Sequence, residues 1–457
     1  MSEPRRVLIL GAAGRDFHNF NSVYRENPDF EVVGFTATQI PDIAGRRYPL
    51  ALAGGRYPNG IPIFDEADLA EVIRREKPDV AVFSYSDVTY EHIGHVASLC
   101  VALGVDFELL GADKTMLKSS KPVIAVTAVR TGAGKSQTTR HLSRILKERG
   151  VKVVAIRHPM PYGDLAKQAC QRFAEYADLD RHECTIEERE EYEPHIDNGF
   201  VIYSGVDYER IIRSAEAEAD VILWDGGNND LPFYASDLHL CIADPHRAGH
   251  ELLYHPGEAN FRRADLIVIN KCDTAKESDI ALIEANAARI NPSATVIRAN
   301  SPVTCERPEL VKGRRVLVIE DGPTLTHGSM SFGAGVVAAK AAGAASIVDP
   351  TPHAVASIAA TYRKYPNAMG ILPAMGYGEA QIRDLEATIE ATPCDVVLSA
   401  TPIDLTRVLK VNKPMVRASY ELAEAIPGRL EAAVRATLGF APGPGVPEPP
   451  ILAASKG

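Results

Sequence analysis

No CxxC pair occurs anywhere in the chain. Its seven cysteines, Cys100, Cys170, Cys184, Cys241, Cys272, Cys305 and Cys394, stand far apart, which argues against a disulfide frame or a zinc site and reads as reduced, packed thiols. Long apolar runs are missing as well. The opening stretch "MSEPRRVLILGAAGRD" holds only a short apolar run before glycine, and no later run approaches the roughly 18 residues that cross a bilayer. No membrane is therefore expected, and a cytoplasmic location is. Positive charge is in deficit, the formal net charge being -11. Nucleic-acid and membrane-surface binding rest on a positive field, so neither partner is expected and an anionic substrate must find a local cationic pocket. Glycine is missing from two telling places. The first βα turn lacks GxGxxG spacing, and Val129 stands where a GxxxxGKS/T pattern has its first glycine.

What is present is a long soluble-type chain of 457 residues, 46% hydrophobic and 24% charged, enough for two or three domains. The fold class read from it is α/β: an N-terminal Rossmann-like domain followed by a P-loop NTPase domain with a C-terminal α/β extension. Residues 1–118 alternate short apolar strands ("RVLIL", "EVVGF", "VAVFSY") with helical periodicity ("EADLAEVIRREK"), the pattern of a parallel sheet with crossover helices. "LKSSKP" links this unit to a second segment, 119–322, carrying "VIAVTAV", "VKVVAI", "DVILWDGG" and "DLIVINKCD". A third segment, 323–440, is expected to pack on the second. The tail 441–457 is too rich in proline and glycine to pack well. There is no internal repeat.

The chemistry-bearing residues cluster in several short stretches. "TAVRTGAGKSQTTR" follows a strand and opens a helix, so the amides of Thr131, Gly132, Ala133, Gly134 and Gln137 can face phosphate. Lys135 would reach the terminal phosphates and Ser136 a Mg²⁺ ion. Asp225, ending an apolar strand, is placed to hold the same metal, and Asn270, Lys271 and Asp273 form an NKxD pattern whose carboxylate can pair with a guanine edge. "RHPMPYGDL" offers Arg157, His158 and Asp164, the last as a second metal-side carboxylate or water positioner. "ADPHRAGHELLYHPGE" offers His246 and Arg247 for phosphate; the i,i+4 pair His246 and His250 lacks an evident third metal ligand. The turn "GAAGRDFHN" gathers Gly11, Gly14, Arg15, Asp16, His18 and Asn19 as candidate substrate contacts. "CTIEEREEYEPHI" has the charge density of a solvated helix face, with Arg189 and Glu191 as its candidates.

Through "LGAAGRDFHNFN", "TAVRTGAGKSQTTR", "IRHPMPYGDL", "TIEEREEYEPHI", "DGGNND", "ADPHRAGHE", "NKCD" and "EDGPTLTHG", the sequence resembles the cyclic 2,3-diphosphoglycerate synthetase family, related to dethiobiotin synthetase and the maturation GTPases. The resemblance implies an ATP- and Mg²⁺-dependent ligase that closes 2,3-diphosphoglycerate into its cyclic phosphoanhydride with release of ADP and phosphate. Lys135, Arg130, Asp164 and Asp225 would then serve catalysis. Arg15, Arg130, Arg157, His158 and Arg247 would clamp the phosphorylated acid, with His246 and His327 beside it, and the N-terminal domain would close over the P-loop as a lid. Asp273 makes GTP the alternative nucleotide. A homodimer is expected. The alternatives are a nucleotide-driven switch or chaperone acting on a protein partner, and a ligase for a related phosphorylated acid.

Overall fold

The computed structural model describes residues 3–38, 43–158, 163–227, 229–326, 331–374 and 379–439. The proline-rich tail after residue 440, and His327, lie outside the described residues.

The chain builds an α/β protein around three main sheets. Near the N-terminus, six strands align in the order Arg47–Tyr48, Ile61–Asp65, Phe30–Ala37, Arg5–Leu10, Val80–Phe83, Asp106–Leu109. All but the first of these pairings are parallel. The second sheet has nine strands. At its middle Val123–Ala128, buried along its whole length, lies between Val221–Asp225 and Leu238–Ala243 and is parallel to both. A strand covered on both faces must be apolar throughout rather than alternating, which is how "VIAVTA" reads. The chain winds outward in both directions from this strand, so ligands belong at its carboxyl end, where the strand order reverses.

The third sheet joins Val303–Cys305, Met415–Tyr420, Val396–Ala400, Arg315–Asp321 and Ser346–Ile347, with Leu372–Ala374 also on Arg315–Asp321. The strand Arg315–Asp321 thus departs from the sequence reading, which put it at the end of the second segment. Its apolar core, Val316 to Ile319, is buried against strands that come about eighty residues later, and a strand pattern does not name its partner. The chain then returns: Ala423–Glu424 pairs with Thr295–Asn300 at the edge of the central sheet. Leu430 and Val434 of the last described helix pack into the same core as Leu142 and Leu146 of the helix behind the P-loop.

The N-terminal and central sheets meet tightly. Tyr254–His255 pairs with Val88–Thr89 in an antiparallel ribbon, and the His18 ring stacks on Phe233 at 4.4 Å.

Candidate active site

The P-loop has its expected form, without the first glycine. Gly132 and Gly134 adopt left-handed backbone at φ 76° and 118°, while Val129 does not, so its side chain costs nothing there. Val129 is instead an anchored strand exit, its amide donating to the Ile242 carbonyl at 2.9 Å and its carbonyl accepting from Asn229 Nδ2 at 2.9 Å. Gly134 caps the helix Lys135–Glu148. A side chain at 134 would lie 2.2 Å from Asn270 Nδ2.

The NKxD segment braces this loop from behind. Asn270 Nδ2 donates to the Ala133 carbonyl at 3.0 Å, and Lys271 Nζ to the Gly132 carbonyl at 2.8 Å and to Asp244 at 2.9 Å. Arg247, expected from sequence to bind phosphate, also pairs with Asp244, at 2.9 Å. Asp273 is exposed at the rim. Its Oδ1 accepts the Ser301 amide at 3.1 Å, and Ser301 Oγ donates to Gln137 at 3.1 Å.

At the phosphate end, charge is concentrated and dry. Arg157 Nη1 stands 3.2 Å from Asp225 and 3.5 Å from Ser136 Oγ, and its Nη2 stands 2.6 Å from Glu191. Burial works against ionisation of Asp225, yet the neighbouring Arg157 wins and holds the carboxyl at about 2. Lys135 is shifted down by burial and by Arg157, against the pull of Asp225 and Glu191. His195 Nε2 lies 3.6 Å from Asp225; burial lowers its pKa, leaving it neutral at pH 7. Arg157 and His195 flank Asp225, but neither makes a well-formed hydrogen bond to its oxygens, although a buried carboxylate ordinarily takes several. That leaves them suited to a cation.

Glu191 arrives on the helix Ile186–Asp197, and here the sequence expectation of a solvated face fails. Glu187, Glu188, Glu190, Glu193 and His195 are all buried. Glu191 meets Arg157 from this helix, while Glu188 closes its N-terminal cap on Thr185 and Glu193 pairs with Arg189 one turn away, partnerships that periodicity does not register. Burial first and Asp321 second drive the Glu190 carboxyl far above the usual range, and burial raises Glu191 against the pull of Arg157. Arg189 faces away from the P-loop, paired with Asp180 and Glu193.

Other expected site residues have structural employment. Arg130, expected from sequence to clamp the acceptor, is buried with Nε 2.6 Å from Asp87 and Nη1 2.8 Å from His250 Nδ1, beneath the Tyr254 ring, and so links the N-terminal domain to the P-loop strand. His250 is thereby engaged. His246 bonds Thr274 at 2.9 Å, and no group of three or more metal-ligating side chains occurs among the described residues. Asp164, expected from sequence beside the metal, is exposed and accepts its own loop's Ala166 amide. Asp16 folds back to accept the Ala13 amide at 2.7 Å beneath Gly11, whose φ of 117° leaves room for that carboxylate. His18 is held against the Thr115 carbonyl at 2.6 Å. Gly14 and Gly227 flank His158 closely: a side chain on Gly14 would come 3.0 Å from its Cβ, and one on Gly227 1.5 Å from its Nε2. Together these bring His158 to the seam between the domains. Burial, then Arg157 and Lys135, lower its pKa to about 3.

The role of Arg130 can be checked by stability. Arg130→Ala and Asp87→Ala should each lose about 3–5 kcal/mol in urea unfolding, because each removes one partner of a buried ion pair. The double variant should lose less than the sum. Additive losses would remove the pair from the account.

Fold and site together define an α/β protein built on a P-loop domain. No family model matches the chain. It is 64% identical over 420 residues to the arginine synthetase ArcE of Thermococcus kodakarensis, covering 92% of this chain and 94% of that protein. The chain belongs to the ArcE arginine synthetase family. Its likeness to cyclic 2,3-diphosphoglycerate synthetases is more remote: 24% identity to the T. kodakarensis protein over 51% of this chain and 60% of that one, and 26% to the Thermococcus gammatolerans protein over 56% and 64%. The family resemblance seen in the sequence is therefore a distant kinship. Among solved structures, LpxK from Aquifex aeolicus in complex with ATP aligns with a TM-score of 0.44 at 12% identity, covering 76% of this chain and 95% of that one, too slight a likeness to bear on function.

Proposed function

We propose that the chain is an ATP-dependent synthetase that forms arginine. The observation that carries this reading is the 64% identity, spread over nearly the whole chain, to an arginine synthetase. The chemistry of the site is in keeping with it. A guanidinium differs from a ureido group by a nitrogen in place of an oxygen, and that oxygen leaves readily only once it is phosphorylated. In the proposed reaction the ureido oxygen takes the γ-phosphoryl group and ADP departs; ammonia then adds to the carbon and phosphate leaves with the oxygen. The P-loop amides and Lys135 would neutralise charge on the transferring group, chiefly an electrostatic and positioning task. Ser136, Asp225 and Glu191 supply hard oxygen donors of the kind Mg²⁺ takes, and the Asp225 oxygens, with no well-formed hydrogen bond, fit such an ion. When bound, Mg²⁺ would draw charge off the nucleotide phosphates. Arg157, joined to Ser136, Asp225 and Glu191, would steady the same oxygens, and burial of the cluster keeps water from the activated intermediate.

The experiment is ADP release and amino-acid analysis with ATP and GTP in parallel, offering L-citrulline with ammonium, 2,3-diphosphoglycerate, or neither. Arginine and ADP should form in equal amounts from L-citrulline. ADP release that needs 2,3-diphosphoglycerate would restore the cyclising reading, and turnover indifferent to every acceptor would make the chain a switch.

A further inference from the structure

A narrow, solvent-open cleft lies between the N-terminal domain and the P-loop domain. Arg15, Asn19 and Ser84 line it from one side, Asp230 and His255 from the other, with Leu110 and Leu231 in the wall. Arg15 and Asn19 are buried, at 7% and 2% exposure, and neither is fully used by the protein. Arg15 Nη2 donates to Thr115 Oγ1 at 3.0 Å, whereas Nη1 has no partner; Asn19 Nδ2 donates to Ser84 Oγ at 2.9 Å, whereas Oδ1 has none. Buried polar atoms in native folds are rarely left this way. Two such atoms on one cleft point to a ligand.

The lining is of both signs. Burial lowers Arg15 to about 10 against the field of Asp230, so it stays cationic at neutral pH. Burial raises Asp230 to about 6, opposed by a hydrogen bond from Ser86 and by the charges of Arg15 and Lys135, so at pH 7 it is mostly ionised. A phosphate dianion drawn to Arg15 would also meet Asp230, and this argues against the phosphate-clamp role expected for Arg15 from sequence. A zwitterion satisfies both groups.

We propose that this cleft is the subsite for the α-amino-acid end of the substrate, Arg15 binding the α-carboxylate and Asp230 the α-ammonium. The assignment rests on the synthetase reading above and adds to it where the amino acid sits and which groups read it.

The test is calorimetric titration of the full chain with three probes: L-arginine, agmatine, which lacks the carboxylate, and 5-guanidinopentanoate, which lacks the amino group. The intact protein should bind L-arginine at least about tenfold more tightly than either analogue, since each leaves a buried charge unmatched. Arg15→Gln should cost L-arginine and 5-guanidinopentanoate about tenfold or more and leave agmatine unchanged. Asp230→Asn should cost L-arginine and agmatine and leave 5-guanidinopentanoate unchanged. Three probes bound alike by the intact protein, or all three weakened alike by both variants, would overturn the assignment. Should Arg15→Gln not fold, as judged by melting, Arg15→Lys and Asn19→Asp take its place, Asn19→Asp being expected to repel the carboxylate-bearing probes selectively. Arginine formation by the intact protein, measured in the same preparations, separates the two claims. Turnover with probe discrimination that no variant alters sinks the cleft alone; no turnover and no arginine binding sinks the synthetase reading and the cleft with it.

Discussion

Lys135→Ala is expected to reduce nucleotide-dependent turnover by about 10²–10³-fold or more, the usual cost of deleting one preorganised charge at a transferring group. Stability should change by no more than about 1–2 kcal/mol. The ammonium sits at the start of the helix behind Gly134, buried and pressed by Arg157. Its removal relieves one repulsion while giving up attraction to Asp225 and Glu191, and the two effects largely offset. Steady-state ADP release and a urea unfolding curve on the same preparation measure both. Turnover within threefold of the unaltered protein would mean that the loop does not hold the reacting phosphate.

A different signature is expected from Asp225→Asn. The amide keeps the shape of the carboxylate but leaves Arg157, 3.2 Å away, and Lys135 in a dry pocket without that countercharge. A loss of about 3–5 kcal/mol in unfolding free energy follows at pH 7, together with loss of turnover. The pH dependence tests the cause. The native carboxyl is depressed from 3.8 to about 2, so the stability it contributes is fully present above the ordinary carboxylate pKa and disappears as pH falls through about 2. The gap between the two proteins should therefore narrow between pH 4 and pH 2. Equal stability at pH 7, or a gap that does not close in acid, would show that Asp225 is not the ionised partner of Arg157.

Much of the site was legible in the linear order of residues, because a P-loop is local. The turn, its lysine, its serine and the helix after it lie within a dozen positions, and "GAGKS" between an apolar strand and a helix has few other uses. Val129 shows the same locality from the other side: the positive-φ positions of the loop, Gly132 and Gly134, demand glycine, and the exit of the strand does not. What escaped was every choice of partner. "TIEEREEYEPHI" carries no sign that Glu191 faces Arg157 instead of water, and nothing in the sequence pairs Arg130 with Asp87 or Arg247 with Asp244.

The sequence alone determined that this is an α/β protein with a phosphate-binding loop at the carboxyl end of a central strand, since those features depend on spacing, on backbone conformations open chiefly to glycine, and on unbroken apolar runs. Only the tertiary structure decided which charges are engaged and which are left for a ligand. Pairing across a hundred residues, as between Arg15 and Thr115, obeys burial and the geometry of packed sheets, and no periodicity along the chain encodes it.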